Sequence, residues 1–433
     1  MKRTKRVLSL EEFEFNDELP LNAAPLEDSA ICDADAAHLL DDIRTNQEAG
    51  VAMEAIANTL RREDPALLGK TSLKMANLAF GAFADKATVA IEEMPIAVDK
   101  YDGSPKIVVD QGIEQVQAGK EKVFDAVRQS LSELLVTNAR KREALQTKLK
   151  EIRANWHKID EAIGRGLVPD PQRKVLVSGR SDNLMLMYSG QIVDGGATVM
   201  PDLCHFLTEH SHLFKRLIKK QTDWLADHKH NVLRTAKGFD SYTFNPVEYI
   251  AHGASVVKAT KENNYGLLEG ECCFRSSELP GMVAFYTLCQ AETCTGLEAV
   301  DALSKAWTNF SAFDAVSFAA AKTARFGGSD QETVTVLTKE EVQARLAETK
   351  RAIDSLEHWG QIAFIDLWKE ACFEEEVLAS LIKVDAEGLN ERLLGELAFA
   401  VLKQLNEATN GVVGYVTHVL DAMLGFLDYV LKD

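Results

Sequence analysis

The sequence predicts a mainly α-helical protein of the α+β class, an elongated bundle of long antiparallel helices with a small inserted antiparallel β region. Apolar residues recur at spacings of three and four through most of the chain, which is typical of helices that bury one face. Two patches, residues 173–193 and 265–288, alternate around turn-forming pairs, which is typical of short strands. The composition, 46% hydrophobic and 26% charged, is that of a chain with a substantial core.

The first element is an acidic segment, residues 1–54. It holds 13 Asp and Glu against 5 Lys and Arg, so it contributes −8 to a net charge of −18. Pro20 and Pro25 argue against one continuous helix here. Two interpretations stay open: a flexible solvated tail, and a propeptide that is removed. The opening residues turn acidic where the apolar part of a signal peptide would begin, so we expect no secretory signal.

Residues 55–165 are predicted to form a helical hairpin around one long helix, from about residue 111 to residue 163. Heptad spacing indicates that this helix packs lengthwise on another helix. The seam comprises Phe124, Val127, Leu131, Leu134, Leu145, Leu149, Ile152, Trp156, Ile159 and Ile163. Asn138, Lys141 and Arg142 interrupt it, which indicates either an unwound corner between two helices or a hydrated point along one.

The most positive run of the chain lies on the same helix, in residues 139–153, with six basic and two acidic side chains. The solvated face of a coiled coil is the favoured interpretation, and a nucleic-acid contact is the alternative. Because so acidic a protein is repelled by nucleic acid, any contact would depend on positive charge concentrated in this way. Gly164, Gly166 and Pro169 are expected to end the helix.

Residues 170–295 are predicted to form a mixed domain in which the two β patches flank one helix, and residues 296–433 a C-terminal helical bundle. Thr338 followed by Glu341 is a capping box, which marks a helix start. Further helices are expected near residues 361–384, 387–408 and 411–432. The last stretch is the most apolar, but two aspartates within it would be costly in a bilayer, so we expect a buried helix rather than a membrane span.

The densest group of potential metal ligands is "CHFLTEHSH", residues 204–212. On a helical wheel His205, Glu209 and His212 share the face opposite the apolar one, so they could converge on a metal ion. Their spacing differs from H-E-x-x-H, and cations, which oppose metal binding, continue the same face. These cations are Arg216, Lys219 and Lys220. A solvated polar face is favoured, and a metal-dependent enzyme that uses the three residues is the alternative.

Common catalytic fingerprints are missing from the sequence, among them the phosphate loop, the nucleophile elbow and the dinucleotide-binding glycines. The seven cysteines lack the paired spacing of a zinc site, which favours free thiols in a reducing compartment. We therefore expect no catalytic residue, no metal and no cofactor, and a protein that is not an enzyme.

Four stretches between about residues 45 and 290 carry a resemblance through their order. They are "EAGVAMEAIANTLRRED" with "GKTSLKMANLAFGAF", "EKVFDAVRQSLSELL" with "KREALQTKLKEI", "KVLVSGRSDNLMLMYSGQI", and "SSELPGMVAFYTL". In this order they resemble the internal head proteins of phiKZ-like jumbo tailed phages, a divergent group of virion proteins. The resemblance implies a structural protein of the capsid interior that is assembled in the host cytoplasm and could be ejected with the DNA.

The same resemblance implies partners: other capsid and inner head proteins, the prohead protease, and the packaged DNA as a further contact. That protease trims after Ser/Ala-X-Glu, and Ala52, Met53 and Glu54 fit this pattern. Cleavage after Glu54 is thus the candidate, and it would release the acidic segment; residues 9–11 and 90–92 fit as well. A cytosolic coiled-coil scaffold that pairs through residues 145–163 is the remaining alternative.

Overall fold

The computed structural model describes residues 27–62, 68–89, 91, 105–170, 174–176, 185–188, 192–231, 242–245, 255–258, 272–275, 277–281, 283–289, 293–308, 313–314, 333–369 and 389–431. These residues are mainly helical, with a small antiparallel β component, which confirms the predicted fold class. The helices are α1 (Glu27–Arg62), α2 (Lys70–Ala84), α3 (Pro105–Gly164), α4 (Val199–Asn231), α5 (Leu297–Thr308), α6 (Lys339–Gln361) and α7 (Leu389–Leu431). A 3₁₀ turn, Val193–Gly196, precedes α4, and a π-helical turn, Ile362–Asp366, continues α6.

The strands are short. They are β1 (Lys174–Leu176), β2 (Thr243–Phe244), β3 (Ser255–Lys258), β4 (Cys272–Arg275), β5 (Ala284–Cys289), β6 (Cys294–Thr295), β7 (Phe313–Asp314) and β8 (Thr333–Thr335). The four-stranded sheet has the order β3-β4-β5-β7, and β1 pairs with β8 and β2 with β6, all antiparallel. β1, β4 and β5 up to Leu288 fall within the two patches that the sequence predicts as strands. β7 and β8 instead lie in residues 296–433, which the sequence predicts as a helical bundle, and β8 pairs with β1.

The longest element is α3, whose 60 residues make a helix about 90 Å long. It begins at Pro105, a position that tolerates proline because the first turn has no intrahelical acceptor for its N–H. It ends as the sequence predicts, through Gly166 at φ +94°. The N–H groups of Gly166 and Leu167 donate to the carbonyls of Ile163 and Ala162, at 3.0 and 3.1 Å, which closes the last turn in a Schellman motif.

The apolar seam of α3 is buried on both sides of its polar interruption, as the heptad spacing predicts. Val127, Leu134 and Leu149 have no exposed surface, and Phe124 and Trp156 pack at its margin. α1 lies antiparallel along the first part of α3, and α6 and α7 pack along its later part. Helices of the same chain therefore fill the 145–163 seam, so the seam does not need a helix from another protein.

Three expected boundaries differ from the structure. The expected limit at residue 54 falls inside α1, because an apolar stripe that includes Ala36, Ile43 and Met53 continues to the end of that helix. The expected break near residue 410 is absent, since Val412, Val416 and Val419 extend the buried face of α7 and outweigh the roughly 1 kcal/mol cost of a helical glycine. α6 likewise passes residue 360 without ending, and residues 370–388 lie outside the described part.

The capping box is confirmed at the start of α6. The Thr338 hydroxyl accepts from the Glu341 N–H at 3.2 Å, and the Glu341 carboxylate accepts from the Thr338 N–H at 2.7 Å. These two bonds satisfy N–H groups that have no partner within the helix, so the sequence pattern fixes where α6 begins.

Gly360 marks the closest approach of α6 to α3, and it gives a test of this packing. A Cβ at Gly360 would lie 2.5 Å from Cδ2 of Leu145, so the buried Leu145 side chain would have to shift within the packed core. We expect Gly360→Ala to lower the free energy of unfolding by about 1–3 kcal/mol through overpacking. Gly425→Ala is the matched control, because no atom lies within 4 Å of its Cβ position in α7, and it should stabilise by up to about 1 kcal/mol. Urea denaturation measures both, and equal effects of the two variants would contradict the packing.

Candidate functional site

The polar interruption of the α3 seam is a buried cluster. Asn138 has no exposed surface and Lys141 is 3% exposed. The Lys141 ammonium donates to Oδ1 of Asn406 at 2.7 Å and to Oδ1 of Asn410 at 3.3 Å, both on α7. We call these four residues the polar layer. Since α3 stays helical through this point, its interpretation as a corner between two helices is wrong.

The polar layer fixes how α3 and α7 lie against each other. A buried lysine loses its hydration, and the amide oxygens of Asn406 and Asn410, at one level of α7, help to replace it. Sliding α7 by a single turn would leave the ammonium with one of these two amides, and sliding it by two turns would leave it with neither, at a cost of several kcal/mol. A polar residue in an apolar helix seam acts in this way on register and partner choice. The sequence does not show that Asn406 and Asn410 face Lys141, although two amides four residues apart in an apolar helix are a recognisable signal.

The basic run, residues 139–153, faces carboxylates of its own chain. Lys148 pairs with Asp421 of α7 at 2.9 Å. Arg153 pairs with Asp354 at 3.0 Å and with Glu357 at 2.7 Å, both on α6. The hydrogen bond from Arg153 holds the pKa of the Glu357 carboxyl below its ordinary value. Together with the buried Lys141, half of the six cations are paired within the chain, which leaves little concentrated positive charge for nucleic acid.

The histidine cluster lies on the solvent-facing side of α4. Leu203, Phe206 and Leu207 are buried, whereas His205 and His212 are exposed. Among the described residues, no group of three or more His, Cys, Asp and Glu is arranged to hold a metal ion. The Arg216 Nε donates to the backbone carbonyl of His212 at 3.4 Å, which keeps a cation one turn away from this imidazole. The geometry supports a solvated polar face.

Cys204, the first residue of that cluster, lies against α6. Burial raises the pKa of its thiol, and the opposing hydrogen bond with Ser355 does not cancel that effect. The thiol is therefore protonated at neutral pH and is a poor nucleophile and a poor metal ligand.

The candidate cleavage position, Glu54, lies within α1. Its carboxylate pairs with Lys120 of α3 at 2.6 Å and with Arg61 at 3.3 Å, and its side chain is 15% exposed. Burial alone would raise the pKa of this carboxyl, but the bond and charge of Lys120 together with Arg61 outweigh it, so the pKa lies below its ordinary value. The pair therefore stabilises α1 at neutral pH and loses its effect only as the pH falls through that lowered pKa.

The residues beside Glu54 strengthen this attachment. Met53 and Ala57 are buried against Phe80 and against Val116 of α3. A protease that binds its substrate in extended form could reach the Glu54–Ala55 bond only after several turns of α1 had opened. Of the other two matches, residues 9–11 lie outside the described part, as do two of the three residues 90–92.

The Leu-Pro-Gly turn before β5 is docked on the helices. The Tyr415 hydroxyl of α7 donates to the carbonyl of Pro280 at 2.9 Å, and the Gly281 N–H donates to the carbonyl of Met187 at 3.0 Å. Gly281 has φ +85°, and a Cβ there would crowd Met185, so the turn favours glycine.

Two tyrosines, Tyr188 and Tyr415, hold this turn and the residues around it, and no pattern in the sequence marks them for this role. The Tyr188 hydroxyl donates to Asp202 at the start of α4, at 2.7 Å. Burial raises the pKa of Tyr188 and of Tyr415, so both remain neutral donors. Their role is to hold the β region against α4 and α7. A tyrosine in a sequence does not indicate such a hydrogen bond, because its acceptor is not known until the structure is.

No protein-family model, curated protein or solved structure matches the chain. Among the described residues, no helix is long and apolar enough to cross a membrane. The resemblance to internal head proteins thus rests on the four sequence stretches. The structure places them on α1 with α2, on α3, around β1, and on the docked turn with β5.

A double-mutant cycle tests the polar layer. Lys141→Met leaves the oxygens of Asn406 and Asn410 buried without their shared donor, and Asn406→Leu leaves the ammonium with fewer acceptors. Each single variant should lose about 1–3 kcal/mol of unfolding free energy. The double variant should lose less than the sum, because neither partner then remains buried and unpaired. Strict additivity in urea denaturation would show that the two residues do not interact.

Proposed function

We propose that the chain is a structural protein of a phage head interior, which acts by filling space and by contacting other head proteins rather than by catalysis. The observation that carries this proposal is that basic side chains of α3 pair with other helices of the same chain instead of forming a binding or catalytic site. Lys141, Lys148 and Arg153 of α3 are paired with α6 and α7. His205 and His212 of α4 are exposed, and the described residues hold no group of metal ligands. The order of the four stretches, which resembles internal head proteins, supports the same role.

We do not propose that residues 139–153 contact the packaged DNA. Arg140 and Lys150 are the cations of that run that remain exposed. They lie on a chain whose net charge is −18. Two scattered cations displace few counterions, so they would add little to DNA affinity. The partners that the proposal names are therefore proteins: the other components of the head and the protease that matures it.

The proposed processing has to respect α1. Residues 27–54 carry eight carboxylates against Arg44, whereas residues 1–26 carry five against four cations. Most of the acidic charge of the N-terminal segment thus belongs to a helix that is packed on α3. Removing residues 27–54 would uncover the seam around Val127, Leu131 and Leu134, at about 1.5–3 kcal/mol for each large side chain exposed. We therefore propose that the mature protein keeps α1 and that trimming falls within residues 1–26, where Glu11 ends the match at 9–11.

Mass spectrometry of purified virions tests the function and the processing separately. We expect peptides from the chain in the particles, with a trimmed N-terminus that lies after Met1 and no later than Glu27, whereas an N-terminus at Met1 would contradict the processing. Absence from particles would contradict the role as a head protein. Presence with an N-terminus at Ala55 would keep that role and contradict the retention of α1.

Proteolysis in solution tests whether α1 protects Glu54. A glutamate-specific endopeptidase should cut the folded chain within residues 1–26 well before it cuts after Glu54, because the latter bond requires α1 to open. Lys120→Met removes the 2.6 Å pair and should speed cleavage at Glu54 by about tenfold, as expected for a lost charge-assisted hydrogen bond. Lys150→Met, at an exposed position of α3, is the matched control and should leave the rate unchanged. Rapid cleavage after Glu54 in the wild-type chain would contradict the protection.

A further inference from the structure

The outward face of α2 carries large apolar side chains. Met75 is 68% exposed and Leu78 is 74% exposed, while the opposite face buries Leu73 and Phe80 against α1 and α3. Ala82 is also exposed and continues the same line at helical spacing. We call Met75, Leu78 and Ala82 the α2 stripe. Single exposed apolar residues are common, but a continuous line of them on one helix indicates a contact surface.

Gly81 lies beside this stripe. Its backbone is helical and does not have the positive φ that would favour glycine, and a Cβ there would meet no atom within 4 Å. A glycine inside a helix costs about 1 kcal/mol relative to alanine. Nothing in the described chain packs into the space that it leaves, so this space is available to a side chain from outside.

The charges at the two ends of α2 indicate what occupies the stripe. Lys74 is exposed near the start of the helix, and Asp85 is exposed just after its end. Suppose that two copies of α2 meet antiparallel about a two-fold axis between Ala79 and Phe80. Lys74 of each copy then lies opposite Asp85 of the other, and Leu78 lies opposite Gly81. A parallel arrangement would instead set Lys74 against Lys74, which is unfavourable.

We propose that α2 is a self-association surface through which two copies of this chain pair antiparallel along the α2 stripe. The arrangement is isologous, so one patch satisfies itself and the charge pairs form twice. Three apolar side chains on a 15-residue helix are far fewer than the roughly 20–30 residues a side of a stable interface. The contact is therefore weak in dilute solution and becomes populated where the protein is concentrated. It does not depend on the proposed role in the phage head.

Charge-swapped variants test the pairing with the full-length chain. In Lys74→Glu each copy of α2 carries two acidic side chains at this surface, and in Asp85→Lys each copy carries two basic ones. The attractive pairs become repulsive, so each variant alone should associate about tenfold more weakly than wild type. An equimolar mixture of the two should regain wild-type affinity, because each acid of one then faces a base of the other. Sedimentation equilibrium at rising concentration measures all three. Equal association of the single variants and wild type, or a mixture no tighter than its components, would overturn the proposal.

An apolar variant separates self-association from folding. Leu78→Asp should abolish association and lower the urea midpoint only by the helix-propensity cost of an aspartate. Val136→Asp, at a 52% exposed apolar position of α3, should lower the midpoint to a similar extent and leave association unchanged. A much lower urea midpoint for Leu78→Asp than for Val136→Asp, with unchanged association, would show that the stripe is covered within the chain, which also overturns the proposal. A wild-type chain that remains monomeric at millimolar concentration would also overturn the proposal.

Discussion

The burial of one apolar seam along α3 is the constraint on which the other elements depend. A helix of about 90 Å cannot be stable alone in water with such a seam exposed, since its stability comes from packing rather than from propensity. α1, α6 and α7 each cover a different length of it, and the β region is then held on α4 and α7 by tyrosine hydrogen bonds. The positions of α1, α6 and α7 in the fold thus follow from the need to cover α3.

Polar residues within this packing fix the positions of the helices relative to one another, whereas they do not supply most of the stability. The polar layer sets the level of α7 against α3, and the Glu54–Lys120 pair sets the level of α1. Apolar seams alone would tolerate a shift of one heptad, because leucines and valines at successive turns are nearly interchangeable. Buried charged and amide groups do not tolerate it, because each would lose its partner in a low-dielectric surrounding. The same residues that look chemically reactive in the sequence therefore serve to specify one arrangement.

Local patterns in the sequence predicted the elements that local physics determines. The heptad seam, the capping box at Thr338 and the end of α3 at Gly166 each depend on residues within a few turns, and the structure confirms all three. Pairings between distant residues were not accessible. Lys141 finds its acceptors 265 and 269 residues away, and the amide of Asn46 pairs with Thr88 across the α1–α2 connection. The continuity of α1 past residue 54 and of α7 past residue 410 depends on tertiary burial as well, which in α7 outweighs the local cost of a helical glycine.

Hydrogen–deuterium exchange, resolved to single peptides, tests most directly the claim that α1 is an integral part of the bundle. The account predicts that amides in residues 36–60 of α1 are protected to the same extent as those in residues 127–152 of α3, since the two helices bury a common core and should open together. Fast exchange throughout α1 with intact protection of α3 would show that α1 detaches independently. That result would contradict the account and restore the N-terminal 54 residues as a removable segment.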